Sequence, residues 1–388
     1  MPLLFLLRTL FALLSWVVLA AAIYLLWRWA DAADLLTTSA ARADLDGERE
    51  RWMLWLGLGL LAFSFLGRPI VLLLLSRPGT NGPKKAHNPG TDIESAGGAR
   101  LFVDESGRPD ALILIFTHGW SLNSSVWGRL RERLSGEFRT IAWDLPGLGK
   151  SRQPKGGALS LSGFAEDLRI VLGHAQGRPA ILIGHSIGGM TIQTLARERP
   201  ELFRGVVAGV VLVNTTYTTP LRTMILPRLM QALRWPLIEP MLFLTRVLWP
   251  LAWLSAWQSY LSGSAHLANR FAFAGPPARA DLEHVTLMAT KASPAVSAKG
   301  NLAMMRWDAG DGPAKIGVPL LAIGGGADII TKAEAGQAIA ARAPSGEAVI
   351  VAGANHMGFL EKEDDYVRLI RDFAYQAQQA PASKNDIP

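Results

Sequence analysis

From residue 111 onward, short apolar runs rich in β-branched residues alternate with longer amphipathic ones, and this limits the fold more than any other feature of the chain. ALILIFTHG (111–119), TIAWD (140–144), AILIGHS (180–186) and GVVAGVVLVN (205–214) each read as a buried strand. Between them, helical spacing covers 124–134, where Ser124 or Ser125 is placed to cap, then 161–172, then a stretch ending near Glu198. The pattern breaks at Thr215 and resumes with VPLLAIGGG (318–326), a helix over 332–342, AVIVAG (348–353) and a last helix over 364–376. Strands apolar on both faces and joined by helices predict an α/β fold: a mainly parallel sheet covered on both sides, with ligand chemistry at the carboxyl ends of the strands.

The charge distribution limits the partners. The chain carries 39 Lys and Arg against 32 Asp and Glu, a net +7. Residues 1–75 balance at six basic and six acidic, whereas 215–300 hold eight basic against three acidic. That second stretch is also rich in Leu and Trp, and basic with greasy suits a membrane surface better than a nucleic-acid groove. No nucleic-acid partner is expected. With 49% hydrophobic and 18% charged residues, the chain is too apolar for a disordered protein. The absence of cysteine removes disulfides, thiolate chemistry and cysteine-rich zinc sites, and leaves the redox compartment open.

Thr9 to Trp27 are 19 residues without a charge, about 28 Å of helix, the thickness of a hydrocarbon core, with Trp27, Arg28 and Trp29 as an interfacial end. Arg8 and the small run Ala20 to Ala22 resemble a signal peptide, but a second apolar tract argues for two transmembrane helices instead. This tract, Trp52 to Ser76, is broken only by Arg68 and Pro69, giving either one kinked span or a 16-residue span plus an interfacial turn. Basic residues tie at four on each flank. The six acids of the 28–51 connection and the acid-free RPGTNGPKK tilt the large C-terminal domain toward the cytoplasmic side. The expected organisation is a membrane hairpin (1–76), a linker (77–100), a core (101–214 and 301–378), a cap (215–300) and a disordered tail (379–388).

GHSIGG (184–189) lies where an apolar strand meets a helix, and sets Gly184, Ser186 and Gly188 in G-x-S-x-G spacing. A nucleophile on a sharp, strained turn needs glycine two positions to either side, where a side chain would collide. The pentapeptide is weak alone, and its strand-to-helix context gives it weight. Here the sequence resembles the alpha/beta-hydrolase family, over roughly residues 101–375. The resemblance implies a nucleophile elbow after the fifth strand, with the acid and the base following in the order Ser, Asp or Glu, His. Asp328 after VPLLAIGGG and His356 in AGANHMG occupy those two loops, so Ser186, Asp328 and His356 form the expected triad, with Asp308 and Asp311 as fallback acids.

The resemblance also implies an oxyanion hole from the backbone N–H groups of Trp120, after His118 and Gly119, and of Ile187. His118 is expected to be a structural hydrogen-bonder. WDLPGLGKS (143–151) ends like a phosphate loop, but Asp144 stands where that loop requires glycine. It resembles instead the family's turn after its fourth strand, with Asp144 structural. His87, His174, His266 and His284 are isolated, and neither metal nor cofactor is expected.

The insertion after the sixth strand falls where relatives carry a cap. Within it Trp249, Trp253 and Trp257 form one helical stripe, which either packs a core or lines an acyl pocket and touches the bilayer, while Pro227, Pro236, Pro240 and Pro250 divide the cap into short helices. The function implied is a membrane-anchored serine hydrolase cleaving carboxylic esters, lipid-like or apolar, through an acyl-enzyme on Ser186. Perhydrolases and carbon–carbon bond hydrolases of the fold use the same triad and stay as alternatives, as does a ligand-binding member without catalysis. The expected partners are an apolar ester and the lipid bilayer.

Overall fold

The computed structural model describes residues 2–36, 48–79, 90–95, 97–154 and 156–379. The first apolar tract lies within one helix, α1 (Pro2–Leu36), whose stretch Pro2–Asp31 is long and apolar enough to cross a membrane. The second is bent. Helices α2 (Glu48–Leu66) and α3 (Arg68–Leu75) meet at 71°, so the expected pair of spans resolves into one long helix and one bent pair. The break follows from the sequence. A Cβ at Gly67 would lie 2.7 Å from the Ser262 carbonyl oxygen, and Pro69 brings no N–H into the first turn of α3. Arg68 turns inward from α3 and donates to Tyr260 Oη (2.5 Å) and Glu283 (2.8 Å).

The sheet has eight strands in the order β1-β2-β4-β3-β5-β6-β7-β8: β1 (Thr91–Glu94), β2 (Arg100–Gly107), β3 (Ile113–Thr117), β4 (Arg139–Trp143), β5 (Ala180–His185), β6 (Val207–Val213), β7 (Leu320–Gly325) and β8 (Gly346–Val351). Strands β3 to β8 run parallel, and β1 and β2 add an antiparallel edge. Helices α4 (Gly128–Leu134), α5 (Leu161–Leu172) and α6 (Ile187–Glu198) connect the first half of the sheet. Before α4 comes a 3₁₀ turn, Ser124–Trp127, capped by the Asn123 side chain, which accepts from the Ser125 N–H, and not by Ser124 or Ser125.

Residues 77–100 are not simply a linker. Arg77 N–H donates to the Pro277 carbonyl and Arg279 N–H to that of Arg77, while Thr91–Glu94 is an edge strand; 80–89 and 96 lie outside the described residues. The expected tail lies outside them too, apart from Gln379.

Between β6 and β7 the chain builds seven helices: α7 (Pro220–Thr223), α8 (Pro227–Ala232), α9 (Glu239–Val247), α10 (Trp249–Ser262), α11 (Ser264–Arg270), α12 (Arg279–Lys291) and α13 (Pro294–Met305). Residue 300 falls inside α13, so the cap's helical part runs past the expected boundary. Five of these helices carry proline in their first turn, where a missing N–H costs nothing, and Pro236 sits in a π-helical turn, Arg234–Ile238. The cap has a small core of its own, including Leu221, Met224, Ile238 and Leu242, against which Leu3, Phe5 and Leu6 of α1 pack. Polar bonds hold α1 there as well: Ser15 Oγ lies 2.8 Å from Ser262 Oγ, and Trp16 Nε1 donates to Ser255 Oγ at 3.0 Å. Beyond β7, α14 (Ala333–Ala340), α15 (Gly358–Glu361) and α16 (Glu363–Gln379) complete the chain.

Asp167 on α5 is buried, and burial pushes its carboxyl up to about 7. The unfolded chain loses this proton near the ordinary carboxylate value of 3.8, so between about pH 4 and 7 the folded state binds more protons and stability declines as pH rises. Asp167→Asn is expected to raise the melting temperature, more at pH 8 than at pH 5. An equal change at both pH values would refute the assignment.

Candidate active site

The carboxyl ends of β5, β6 and β7 converge on Ser186. It occupies the turn between β5 and α6 at φ 57 and ψ −117, a conformation that costs a non-glycine residue on the order of 1–3 kcal/mol. The fold holds it there: Ser186 N–H donates to the Val213 carbonyl (3.0 Å), and Thr215 Oγ1 donates to the Ser186 carbonyl (2.6 Å). Both glycines of the motif are sterically required, since a Cβ at Gly184 would lie 2.5 Å from the Gly188 backbone, and one at Gly188 would strike the Thr117 carbonyl. The Ser186 hydroxyl is buried and has no hydrogen-bond partner among the described residues.

Asp328 and His356 are brought together. His356 Nδ1 lies 2.9 Å from Asp328 Oδ2 in a buried pair, and 3.2 Å from Thr331 Oγ1. The carboxylate is well supplied with donors: Ile330 N–H (2.7 Å) and Thr331 N–H (2.9 Å) reach Oδ1, and Asn214 Nδ2 (2.8 Å) and Thr331 Oγ1 (2.9 Å) reach Oδ2. Burial alone would raise its pKa, but the facing His356 and these donors outweigh burial and hold the carboxyl below its ordinary value. With Nδ1 committed to Asp328, His356 keeps Nε2 for proton exchange. Asp308 and Asp311 are exposed, the first capping Gly310 N–H and the second paired with Lys315.

Three side chains that the sequence reading passed over organise this site. His185, just before the serine, is buried against His356, their ring centroids 4.8 Å apart, and its Nε2 lies 3.0 Å from the His356 carbonyl, so it donates there. Burial, followed by the neighbouring His356, lowers its pKa well below the ordinary histidine value, so it stays neutral. Asn214, at φ 45 past the end of β6, links Asp328 to the Asn355 carbonyl and accepts from Tyr366 Oη. Thr331 bridges acid and base. His185 and Asn214 had a legible signal, since both end strands at the catalytic edge; Thr331, inside DIITK, had none.

The turn after β3 supplies the other wall. His118 is a neutral brace: Nδ1 donates to the Gly119 carbonyl (2.8 Å) and Nε2 accepts from Leu145 N–H (2.9 Å). Asp144 accepts from Ser124 N–H (2.6 Å) and Lys150 N–H (2.8 Å), a structural role. Trp120 is anchored by its indole N–H on the Ser297 carbonyl at 3.0 Å, while its backbone N–H donates to no backbone carbonyl among the described residues. Ile187 is the first residue of α6, where the N–H has no intrahelical acceptor. These two donors can receive an anionic oxygen, assisted by the helix dipole.

A cavity of about 230 Å³ opens next to this turn, walled by α1 and α9 to α13 and reaching Ser121. Trp249, Trp253 and Trp257 do not line it. The face of α10 that does so carries Ala252, Ser255, Ala256 and Ser259, whereas Trp249 and Trp253 point outward, 51% and 46% exposed, and Trp257 is half-buried. Of the expected stripe, Trp249 and Trp253 therefore neither line this cavity nor pack in a core, whereas Trp257 packs edge-on against Tyr260, with ring centroids 5.6 Å apart.

A mainly parallel eight-stranded sheet, a strained serine turn after its fifth strand and an acid and a histidine on later loops define an alpha/beta-hydrolase architecture. A sequence model described as the Alpha/beta hydrolase family matches residues 114–369, and the chain belongs to that family. It is 29% identical over 272 residues to a pimeloyl-[acyl-carrier protein] methyl ester esterase of Yersinia pseudotuberculosis, covering 67% of this chain and 92% of the relative. Among solved structures it is similar to an esterase from Exiguobacterium antarcticum, with a TM-score of 0.60 at 18% identity over 74% of this chain and 99% of that one. It also resembles a bacterial membrane phospholipase A, with a TM-score of 0.61 at 18% identity over 85% of this chain and 98% of the other.

Proposed function

We propose that the protein is a membrane-anchored carboxylic ester hydrolase that acts on apolar, lipid-like esters through an acyl-enzyme on Ser186. The observation that carries this reading is the pairing of His356 Nδ1 with a buried, ionised Asp328, on loops that follow a strained turn holding the buried Ser186 hydroxyl. Ser186 Oγ attacks the ester carbonyl while His356 Nε2 takes its proton, and the oxyanion forms against the N–H groups of Trp120 and Ile187. Collapse of this intermediate breaks the bond to the alkoxy oxygen, which leaves with the proton from His356. Water then attacks the acyl-enzyme by the same route and releases the acid and free Ser186. Esterase activity in the relatives and structural neighbours agrees with this reading.

Hydrolysis of p-nitrophenyl esters and monoacylglycerols of increasing chain length tests it, alongside labelling by a fluorophosphonate. Turnover should rise with acyl length, and labelling should map to Ser186. Ester turnover without labelling at Ser186 would overturn the mechanism.

The bilayer is the occupant proposed for the outer face of the cap. Helices α9 and α10 meet at 100° and expose Phe243, Leu244, Leu251 and Leu254 beside Trp249 and Trp253. This apolar face continues onto Leu13, Leu14 and Val17 of α1, because Trp16 and Ser255 join the two helices. The chain has no cysteine, so a single nitroxide can be placed at will. In lipid nanodiscs, labels on Trp249→Cys and Trp253→Cys should be accessible to oxygen and shielded from a nickel chelate, and a label on Arg368→Cys the reverse. Chelate access at 249 and 253 equal to that at 368 would remove the cap from the membrane.

A further inference from the structure

Arg8 sits one turn and a half into α1, in a helix that otherwise reaches Arg28 without a charge. A cation there has an easy alternative, to extend its stem along the helix and leave the guanidinium in the interfacial water. It turns inward instead. Nε and Nη2 both donate to Asn269 Oδ1 of α11, at 3.1 and 2.6 Å, and the Asn269 amide is fixed with its oxygen toward Arg8 because Nδ2 donates to the Ala265 carbonyl at 2.8 Å. A guanidinium offers five N–H groups, and among the described residues only two are used, on a neutral acceptor. No carboxylate pairs with it among the described residues. A half-buried charge held this way lacks its counterion.

Arg8 also lines the 230 Å³ cavity. The cavity carries further polar groups, at Ser121, Ser259, Thr290 and Asn301, among alanines and the side chains of Phe5 and Leu13. Ser121 follows Trp120 directly and has a positive φ of 64, so its wall adjoins the turn that receives the oxyanion. The volume is below the usual range for a drug-sized ligand and fits a small headgroup or a short chain segment, not a whole diacyl lipid.

We propose that Arg8 is a specificity-determining residue that receives the oxyanion, a phosphate or carboxylate, of an ester substrate, with its unused N–H groups forming charge-assisted bonds to that group. The preferred substrate class is then an acyl ester whose small polar part is anionic, of the glycerophosphate kind, over its uncharged counterpart. The proposal rests on the reading of Ser186 as nucleophile for its kinetic consequence, but not for binding, and the two are measured separately.

For binding, the melting temperature of the full-length protein in detergent is followed with hexyl phosphate, hexanol and inorganic phosphate. Hexyl phosphate should raise it and hexanol should not, and the rise should vanish in Arg8→Gln and survive in part in Arg8→Lys. A rise with inorganic phosphate of the same size would identify the free anion as the ligand recognised, whereas hexyl phosphate acting alone identifies an amphiphile. For kinetics, kcat/KM is compared between a 1-acylglycerol-3-phosphate and the monoacylglycerol of the same chain. Arg8→Gln should lower the anionic-to-neutral ratio roughly ten-fold or more, and a ratio is insensitive to a general loss of folded protein. An unchanged ratio, or a hexyl phosphate shift that persists in Arg8→Gln, overturns the role of Arg8. Absence of turnover on both esters with the binding shift intact would fail the hydrolase reading and leave the anion site standing.

Discussion

Ser186→Ala is expected to abolish ester turnover, lowering kcat by on the order of 10⁶-fold, the scale at which loss of a triad nucleophile is felt in serine proteases. The expectation comes from geometry. The hydroxyl is buried at the end of β5 with no partner among the described residues, on a turn where close contacts exclude side chains at positions 184 and 188. A buried polar atom without a partner is a cost to the fold, so the alanine variant should melt at or above the wild-type temperature. Dead and equally stable is the predicted pairing, read by ester hydrolysis and a melting curve on one preparation. Wild-type-like hydrolysis by Ser186→Ala would end the assignment.

Asp328→Asn should cost about 10⁴-fold in kcat. The asparagine can still accept the Ile330 and Thr331 N–H groups through one oxygen, which keeps the loop in place. Its amide nitrogen then faces His356 Nδ1 with a donor, and the imidazole must move its proton to Nε2, the atom needed as base. Asp308→Asn and Asp311→Asn alter exposed groups and should stay within about two-fold of wild type, as surface changes usually do. Similar losses in all three variants would show that Asp328 does not orient the base.

Six of the eight strands and the serine turn are legible in the chain because they depend on local signals, whereas the acid and the histidine are placed by the family resemblance. Strands β3 to β7 are buried along nearly their whole length and mostly apolar, β8 keeps an apolar run although most of it is exposed, and a strained turn needs glycine at fixed offsets. The two strands that escape the reading lack such an apolar run. In RLFVDESG the buried Asp104 looks like a turn residue until Arg131 of α4 is seen to donate to it at 2.7 Å, and TDIE is an exposed edge paired only with β2. The tryptophan stripe failed for a different reason. Helical spacing says that three residues share a face, but not whether that face meets the core, a cavity or the outside. At Arg68 the break itself is legible from Pro69, whereas the Ser262 carbonyl that a side chain at Gly67 would meet lies almost 200 residues away.

The attachment of α1 to the cap changes what an anchor means in this protein. A leash can be exchanged for any other apolar helix. Here the helix that is long and apolar enough to cross a membrane also supplies Phe5, Arg8 and Leu13 to the cavity beside the Trp120 turn, so it would be one side of the vessel as well as its mooring. Shedding it by proteolysis would release an enzyme with a breached pocket instead of a soluble copy of the original. Substitutions in this helix and in α11 are therefore bound to each other: an exchange of Arg8 leaves the Asn269 amide without its donor, and descendants of the chain would have to alter the pair jointly to alter what the pocket accepts.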